Sequence, residues 1–294
     1  INIVQAHLTQ PNQLSVFVCS MLRIPVFPTV HNTMAFVDHR KVTDIRVILK
    51  KILNEIVFRI SHTIIAVSPE IKKIICEKFH INNNKVLVVK NGIFLKEKIP
   101  KKKYYFDKNK QKSHNLKIIA VGRLTYQKNF EVLIMAARNL KDQNINNFCI
   151  SIVGDGEDRN KLQKMINDYK LKNIVNLLGF RDDAIDLMKS SDCLAMPSRY
   201  EGLSIAMIEA MACGLPILAT ESPGLKDYIT DGENGLKFTV GDDIELSNLI
   251  KKLMNDNKLL EILSEGATKT YNKEYDLKNN IIPLKKLFRK YSYY

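Results

Sequence analysis

Residues 197–216 read PSRYEGLSIAMIEAMACGLP, a polar turn that leads into a helix with an apolar interior. Two carboxylates stand in this segment: Glu201 lies just before the helix, and Glu209 follows eight positions later. Eight helical residues correspond to about two turns, or roughly 12 Å of rise. Because a charge inside an apolar helix needs a partner, Glu209 predicts either a bound ligand or a buried amphipathic helix with a paired carboxylate.

The start of this helix offers backbone donors between the two carboxylates. The N–H groups of Gly202, Leu203 and Ser204 fall at the helix N-terminus, where such groups have no acceptor within the helix. The helix dipole adds positive potential at the same place. This combination suits an anion flanked by hydroxyl groups. It predicts a pyrophosphate with a sugar on one side and a ribose on the other.

Bulk composition indicates a globular protein of two domains. The chain has 294 residues, of which 45% are hydrophobic and 26% are charged, and this length exceeds that of most single cores. The five cysteines are far apart in mostly apolar segments, which predicts reduced thiols in a cytoplasmic protein. The sequence contains no Asp-x-Asp pair and no His/Cys cluster with metal-ligand spacing, so we expect neither a metal nor another cofactor.

The net charge of +14 favours anionic partners such as phosphates, an anionic membrane surface or nucleic acid. A composition biased toward Lys and Asn explains the same charge without any partner. Residues 40–60 combine a basic side with an apolar face of helical period. They fit either a peripheral helix on the inner face of a membrane or a helix that covers a sheet. The apolar face consists of Val42, Ile45, Ile48, Leu49, Ile52, Ile56 and Ile60.

Strand and helix patterns alternate along the chain, which predicts α/β domains with parallel sheets. We expect an incomplete Rossmann-like domain in residues 1–95 and a basic, unpatterned linker in residues 96–115. A second Rossmann-like domain is expected in residues 116–275, and residues 276–294 read as one more amphipathic helix.

Polar loops follow the strands of the second domain, and in a doubly wound sheet such loops converge on one edge. Arg123 and Lys128 place two cations there, a planar fork and a point charge, which suits a diphosphate. In the first domain, His31 ends a strand in the same way and is a candidate for chemistry, although a single histidine can also be structural. The glycine-containing loops of the second domain contribute Gly122, Gly154, Gly156, Gly179 with Phe180, and Gly224.

Taken in order, these motifs resemble a known family, the retaining glycosyltransferases of family four, which have the GT-B fold. The resemblance covers about residues 1–275 and is most specific in the C-terminal half. That half carries VGR…KN at 121–129, VGDG at 153–156, LGF at 178–180, residues 197–216 and NG at 234–235. The N-terminal half carries TVH at 29–31, IAVS at 65–68 and NG at 91–92.

The resemblance implies retaining transfer of a hexose from a nucleoside diphosphate sugar, often a UDP-sugar, to a hydroxyl of a glycan or lipid-linked acceptor. In the family, Arg123 and Lys128 would bind the pyrophosphate, and Glu209 would hold the ribose hydroxyls. Glu201 and His31 would face the donor sugar and are the catalytic candidates. The donor-binding set is completed by Gly122, Gly154, Gly156, Gly179, Phe180, Gly202, Leu203 and Ser204.

The family also assigns roles to whole segments. The N-terminal domain would lie on the acceptor side, the C-terminal domain would bind the nucleotide sugar, and residues 276–294 would cross back to the N-terminal domain. An oxygen of the departing diphosphate would take the acceptor proton, so no side-chain nucleophile is needed. Such enzymes often build surface polysaccharides or glycolipids.

The sequence departs from the family pattern at several places. Lys90 replaces the usual Pro before Asn-Gly, and Lys226-Asp227 replaces a common Pro-Glu. The family's opening strand and glycine-rich loop have no counterpart, so we expect an incomplete N-terminal domain and a chain that binds donor but transfers sugar slowly. Two alternatives remain, a sugar-nucleotide isomerase of the same fold and a non-catalytic nucleotide-binding fragment. Nucleic-acid binding rests on charge alone and is not expected.

Overall fold

The computed structural model describes residues 2–7, 9–31, 45–94, 115–201 and 203–291. The chain divides into two compact units. Residues 1–94 with 274–294 form the N-terminal unit, and residues 95–273 form the C-terminal unit. The predicted linker over residues 96–115 lies outside the described residues except for Asn115. No helix in the described ranges has the length and apolar character that a membrane span requires.

Strands and helices alternate in the N-terminal unit, as the sequence predicts. Its described strands are β1 Val4–His7, β2 Val26–Val30, β3 Ile64–Ala66 and β4 Val86–Val88. The segments between them form α1 Thr9–Met21, α2 Ile45–Ile60, α3 Pro69–Lys78 and a 3-10 turn, Asn83–Lys85. The strands pair in parallel in the order β1-β2-β3-β4. Helix α3 begins as its sequence predicts, because the Ser68 hydroxyl accepts the Ile71 N–H at 3.3 Å.

Helix α2 is apolar on two sides, and the sheet covers only one of them. Val57 and Phe58 are buried in the core, together with Asn54. The amide of Asn54 accepts a hydrogen bond from Gln13 Nε2 at 2.9 Å, which joins α2 to α1. Four members of the apolar face predicted from the helical period are instead exposed, namely Leu49, Ile52, Ile56 and Ile60.

The C-terminal unit is a doubly wound α/β sheet. Its described strands are β5 Leu116–Val121, β6 Phe148–Val153, β7 Val175–Gly179, β8 Cys193–Met196, β9 Ile217–Thr220 and β10 Gly235–Phe238. Its described helices are α4 Phe130–Asp142, α5 Arg159–Asp168, α6 Ala184–Lys189, α7 Ile205–Ala212, α8 Asp243–Asn255 and α9 Asn257–Thr270. The strand order is β10-β9-β8-β5-β6-β7, and the paired strands run parallel. The predicted α/β class with two parallel-sheet units is therefore confirmed.

The order of these strands fixes where a ligand can bind. The chain winds outward from β5 through β6 to β7, then returns to place β8 on the other side of β5. The carboxyl ends of β5 and β8 thus flank the point where the winding direction reverses, which is the usual ligand crevice of such a sheet. The loop after β5 contains Arg123 and Lys128, and the loop after β8 contains Glu201.

The end of the chain belongs to the N-terminal unit. The predicted single helix is divided in two. The segment consists of α10 Leu277–Asn280 and α11 Ile282–Tyr291, and a π-helical turn, Tyr271–Tyr275, precedes it at the sequence boundary between the two units. The Ile93 N–H donates to the Tyr275 carbonyl at 3.1 Å, and the Leu277 N–H donates to the Ile93 carbonyl at 3.2 Å.

Aromatic packing holds α11 against the sheet of the same unit. The buried ring of Phe27 in β2 lies 5.3 Å from the rings of both Phe288 and Tyr291, measured between centroids. His62 completes the cluster at 5.7 Å from Tyr291. Lys90, in the loop after β4, also forms an ion pair with Glu274, just before α10. The N-terminal unit is therefore assembled from both ends of the chain.

Candidate functional site

Three loops at the carboxyl edge of the C-terminal sheet are joined by their backbones. The Gly122 N–H, after β5, donates to the Val153 carbonyl at 3.0 Å. The Gly154 N–H, after β6, donates to the Gly179 carbonyl at 2.7 Å. Because these bonds use main-chain groups, they need no side-chain donor or acceptor. The structure thus brings three of the predicted glycines, Gly122, Gly154 and Gly179, to one place.

Gly154 is required by close approach of the backbone. A β-carbon at this position would lie 2.0 Å from the Gly122 carbonyl oxygen, and its φ is +136°. Gly156 is crowded in the same way, since a β-carbon there would lie 2.4 Å from the Leu124 carbonyl oxygen. The main role of these two glycines is therefore to let the loops pack closely. The sequence pattern alone could not distinguish this role from ligand binding.

Lys128 and Glu201 form a buried ion pair at the crevice. Lys128 Nζ lies 2.5 Å from Glu201 Oε1, and the two side chains are 16% and 7% exposed. The hydroxyl of Ser198, which is buried, donates to the same carboxylate oxygen at 2.8 Å. The side chain of Lys128 passes over Gly122, where a β-carbon would lie 2.9 Å from Lys128 Cε. Two predicted ligand-binding groups are thus held by each other in this structure.

The loop after β9 also approaches Glu201. The Glu201 N–H donates to the Pro223 carbonyl at 3.0 Å. A β-carbon at Gly224, whose φ is +87°, would lie 1.9 Å from the Glu201 carbonyl oxygen. The backbone of Glu201 is therefore fixed from a third strand, and this explains the glycine at position 224.

Arg199 joins the loops after β5 and β8, and sequence reasoning missed it. Its N–H donates to the Gln127 carbonyl at 2.8 Å, and its guanidinium Nη2 donates to Asn129 Oδ1 at 2.9 Å. The guanidinium lies 4.3 Å from the centroid of the Tyr126 ring. Gln127 Nε2 returns a hydrogen bond to the Tyr200 carbonyl at 3.0 Å. These contacts join residues far apart in sequence, so no local pattern signals them.

Two predicted groups are available to a ligand. Arg123 is exposed and forms no ion pair with any described residue. The ring of Phe180, just after β7, is 83% exposed. In an unliganded protein, an exposed aromatic ring beside a loop edge and a free guanidinium are groups that a nucleotide could cover.

Glu209 lies in the middle of α7 and is half-buried. Burial raises the pKa of its carboxyl, and no described residue gives it a hydrogen bond or an opposite charge. The alternative of a structurally paired carboxylate therefore finds no partner among the residues described. Within those residues, the N–H groups of Leu203 and Ser204 also have no acceptor. Gly202, predicted to join them, lies outside the described residues.

His31 belongs to the N-terminal unit, where it directly follows β2. Its Nε2 lies 2.8 Å from Nδ1 of His7, the last residue of β1, and both side chains are exposed at the edge of the sheet. Burial lowers the pKa of His31, and the neighbouring His7 lowers it further. Sequence reasoning selected His31 but gave no role to His7.

No described group of three or more His, Cys, Asp or Glu side chains has an arrangement that could hold a metal ion. The expectation that the protein works without a metal stays a prediction.

Comparison with known families explains this arrangement. The sequence model described as Glycosyl transferases group 1 matches residues 101–270, and that described as Glycosyltransferase Family 4 matches residues 1–97. The chain belongs to the group 1 glycosyl transferases. Its fold is the GT-B type that the resemblance predicted, with the family's motifs on the loops just described.

Relatives and solved structures extend over most of this glycosyl transferase. An uncharacterized glycosyltransferase of Methanocaldococcus jannaschii is 29% identical over 246 residues, which are 82% of this chain and 61% of that protein. The Escherichia coli UDP-Gal:alpha-D-GlcNAc-diphosphoundecaprenol alpha-1,3-galactosyltransferase is 27% identical over 98% of this chain and 75% of its own length. The crystal structure of Anabaena HepE in complex with UDP has a TM-score of 0.76 at 21% identity, covering 97% of this chain and 78% of that one.

The crowding at Gly154 gives a direct test of the loop arrangement. We expect Gly154→Ala to lower the free energy of unfolding by more than the cost of roughly 1–2 kcal/mol for placing a β-carbon at positive φ. The excess arises because the new methyl must displace the Gly122 carbonyl. Chemical denaturation measures both values.

Gly241→Ala is the matched control. Its φ is +86°, but nothing lies within 4 Å of the added β-carbon, so only the backbone cost applies. Equal losses in the two variants would contradict the close approach between Gly154 and Gly122.

Proposed function

We propose that this protein transfers a sugar from a nucleoside diphosphate sugar to an acceptor hydroxyl, and that the C-terminal unit holds the donor. The observation that carries the proposal is the set of groups around the β5/β8 crevice. Arg123 and Lys128 supply two cations, and Glu201 and Glu209 supply two carboxylates. Just before α7, the N–H groups of Leu203 and Ser204 have no acceptor among the described residues. A diphosphate between two hydroxyl-bearing sugars matches that set.

Arg123 and Lys128 differ in their existing contacts, so we expect them to meet a diphosphate in different ways. Arg123 has no described charge partner, so it can meet a diphosphate without breaking an existing contact. Lys128 is already neutralised by Glu201 at 2.5 Å, so a diphosphate must share or replace that carboxylate. As the bond to the sugar breaks, negative charge grows on the departing diphosphate. Both cations and the α7 N-terminus would stabilise that charge.

Glu209 is suited to a ribose. Its carboxyl is half-buried, its pKa is raised by desolvation, and no described residue donates to it. Two vicinal hydroxyl groups would supply the hydrogen bonds that this buried acceptor lacks. The exposed ring of Phe180 and the neighbouring Gly179 backbone would then meet the base.

A UDP-sugar is the donor that we propose. HepE was crystallised with UDP, and the name of the Escherichia coli relative specifies UDP-Gal. Glu201 and His31 would face the sugar, and the transfer would proceed with retention, as the family implies. A diphosphate oxygen would accept the proton of the attacking hydroxyl. Proton NMR of the product, recorded before mutarotation or on a stable glycoside, reports whether the anomeric configuration is kept.

The acceptor that we propose is a glycan or a lipid-linked sugar in the synthesis of a surface polysaccharide or glycolipid. The name of the Escherichia coli relative specifies a diphosphoundecaprenol-linked acceptor. Incubation of labelled UDP-sugars with lipid-linked acceptors tests this. Donor binding without any transfer would favour the nucleotide-binding alternative, and conversion of the donor without acceptor would favour an isomerase.

The phosphate contacts give the sharpest test of donor binding. We expect Arg123→Ala and Lys128→Ala to weaken UDP binding by about 1–3 kcal/mol each, because each removes a charge-assisted contact. Binding of uridine, which lacks the diphosphate, should hardly change. Isothermal titration calorimetry measures all four affinities, and Lys164→Ala on the exposed side of α5 is the matched control. Equal losses for UDP and uridine would show that the variants act on folding.

Substitution of Glu209 should affect ligands that carry a ribose and spare a ligand that carries only phosphate. We expect Glu209→Gln to weaken UDP and uridine binding equally, by about 1–3 kcal/mol, because both ligands carry the ribose. Inorganic pyrophosphate, which has no ribose, should bind as it does to the wild type. Glu261→Gln, an exposed carboxylate on α9, is the control. Unchanged uridine affinity would contradict a ribose contact and return Glu209 to a structural role.

An anionic membrane surface is a further partner that we propose, together with a peripheral cytoplasmic location. The observation is the exposed apolar stripe Leu49, Ile52, Ile56 and Ile60 of α2, beside that of α1. The stripe of α1 consists of Leu14, Phe17, Val18 and Met21. The basic residues predicted to help lie in 40–51 and 96–103. Of these ranges, 40–44 and 96–103 lie outside the described residues, and Lys51 is exposed.

We expect Ile52→Ser/Ile56→Ser to reduce co-sedimentation with vesicles of anionic phospholipid several-fold, because the variant removes apolar area that the membrane would bury. Leu178→Ser, an exposed apolar residue of the C-terminal unit, is the control. If the protein does not co-sediment with the vesicles, or if its binding does not depend on their anionic lipid content, an anionic membrane surface is ruled out as a partner.

A further inference from the structure

Two side-chain pairs cross from β1 to β2 on one face of the N-terminal sheet. In the parallel register, Gln5 is opposite Phe27 and His7 is opposite Thr29. Each of these two β1 side chains contacts not the residue opposite it but the residue two positions later in the second strand or directly after that strand. Gln5 Nε2 donates to Thr29 Oγ1 at 3.0 Å, and His7 Nδ1 meets His31 Nε2 at 2.8 Å. The histidine contact thus continues a regular diagonal arrangement and ends it at the carboxyl edge of the sheet.

The geometry of the two imidazoles identifies a hydrogen bond. Their ring centroids are 5.1 Å apart, and the two ring planes are inclined by 28°. Two nitrogens bound to one zinc ion at about 2.0–2.1 Å in a tetrahedral site would be roughly 3.3 Å apart. The observed 2.8 Å is the usual length of an N–H···N bond, with one proton between the rings. One ring must therefore donate and the other must accept.

Among the described residues, the strands and the helix around this pair add no other charge. Apart from His7, strands β1, β2 and β3 and helix α1 contain no charged side chain. At the same edge of the sheet, Glu70 and Lys90 follow β3 and β4, and Lys90 pairs with Glu274 of the C-terminal segment. The electrostatic effect recorded on His31 comes from His7, in addition to burial, and both lower its pKa.

We propose that His7 is a positioning residue that fixes the orientation and the tautomer of His31. This proposal rests on the proposed function, in which His31 faces the donor sugar. Since His31 Nε2 is used by His7, only Nδ1 remains for a ligand. A neutral imidazole in water carries its proton mainly on Nε2, and both rings can do so here. His31 Nε2–H then donates to His7 Nδ1, and His31 Nδ1 is presented as an acceptor for a sugar hydroxyl.

Burial lowers the pKa of His31, and the neighbouring His7 lowers it further, so the neutral form of His31 is favoured. His31 is therefore kept neutral and acceptor-competent near neutral pH. The hydrogen bond also prevents the exposed ring from rotating, which is a requirement for any group that orients a substrate.

Nitrogen-15 NMR of the histidine rings in the full chain tests the proposal without using enzyme activity. The His31 signals are assigned from their loss in His31→Gln. In the wild type we expect the Nε2–H pattern for His31, with a titration midpoint below that of a free histidine. In His7→Leu we expect a mixture of tautomers and a higher midpoint. In His7→Asn, whose side-chain oxygen can accept the same hydrogen bond, we expect the wild-type tautomer to be retained.

His80→Asn is the control, because His80 is exposed after α3 and has a positive φ that asparagine tolerates. It should leave the His31 spectrum unchanged. An unchanged His31 tautomer and midpoint in His7→Leu would overturn the proposal, and so would a wild-type His31 with its proton on Nδ1. Because these readouts need no donor, they stand apart from the proposed function.

The kinetic consequence is measured with a UDP-sugar and the acceptor that the transfer assay identifies. We expect His7→Leu to lower kcat about tenfold with little change in the KM for the donor, and His7→Asn to restore most of the rate. An altered His31 spectrum with an unchanged kcat would overturn the catalytic part of the proposal. The affinity of the C-terminal unit for UDP tests the proposed donor site separately.

Discussion

The parallel pairing of β5 with β8 is the constraint on which the rest of the C-terminal unit depends. In this pairing, Ile118 and Ile119 are opposite Cys193 and Leu194. The two strands are far apart in sequence: the Lys117 N–H donates to the carboxylate of Asp192, 75 residues further along the chain. Once the two strands are side by side, their following loops must meet at the same edge. The Lys128–Glu201 ion pair and the hydrogen bonds of Arg199 to the loop after β5 follow from that meeting.

The buried Lys128–Glu201 pair is better understood as a geometric device than as a source of stability. Desolvation of two buried charges offsets most of their attraction, so such pairs contribute little net free energy. What the pair does is hold a cation and a carboxylate in fixed positions before any ligand arrives. Ser198 shares the same carboxylate oxygen, so Glu201 cannot rotate without losing two contacts.

The sequence predicted much of the fold because its signals are local. The alternation of strand and helix patterns depends on neighbouring residues, and it is found as expected in both units. The exposed stripe of α2 was not predictable, because helical period shows which residues share a face and not which face meets the sheet. The family resemblance selected Lys128 and Glu201 separately, but their contact depends on strand order. His7 and Arg199 gave no signal at all, since each acts through a partner in a distant segment.

The discontinuity of the N-terminal unit sets an order of events during synthesis. Its final contacts, such as the Lys90–Glu274 ion pair across 184 residues, cannot form until the last part of the chain has left the ribosome. The C-terminal unit is one uninterrupted segment and can close earlier. The entropy of loop closure grows only slowly with length, and the intervening unit shortens the effective loop once it has folded. Until α11 has been synthesised, Phe27 lacks its contacts with Phe288 and Tyr291 on the nascent sheet, so this surface depends on a segment that is made much later.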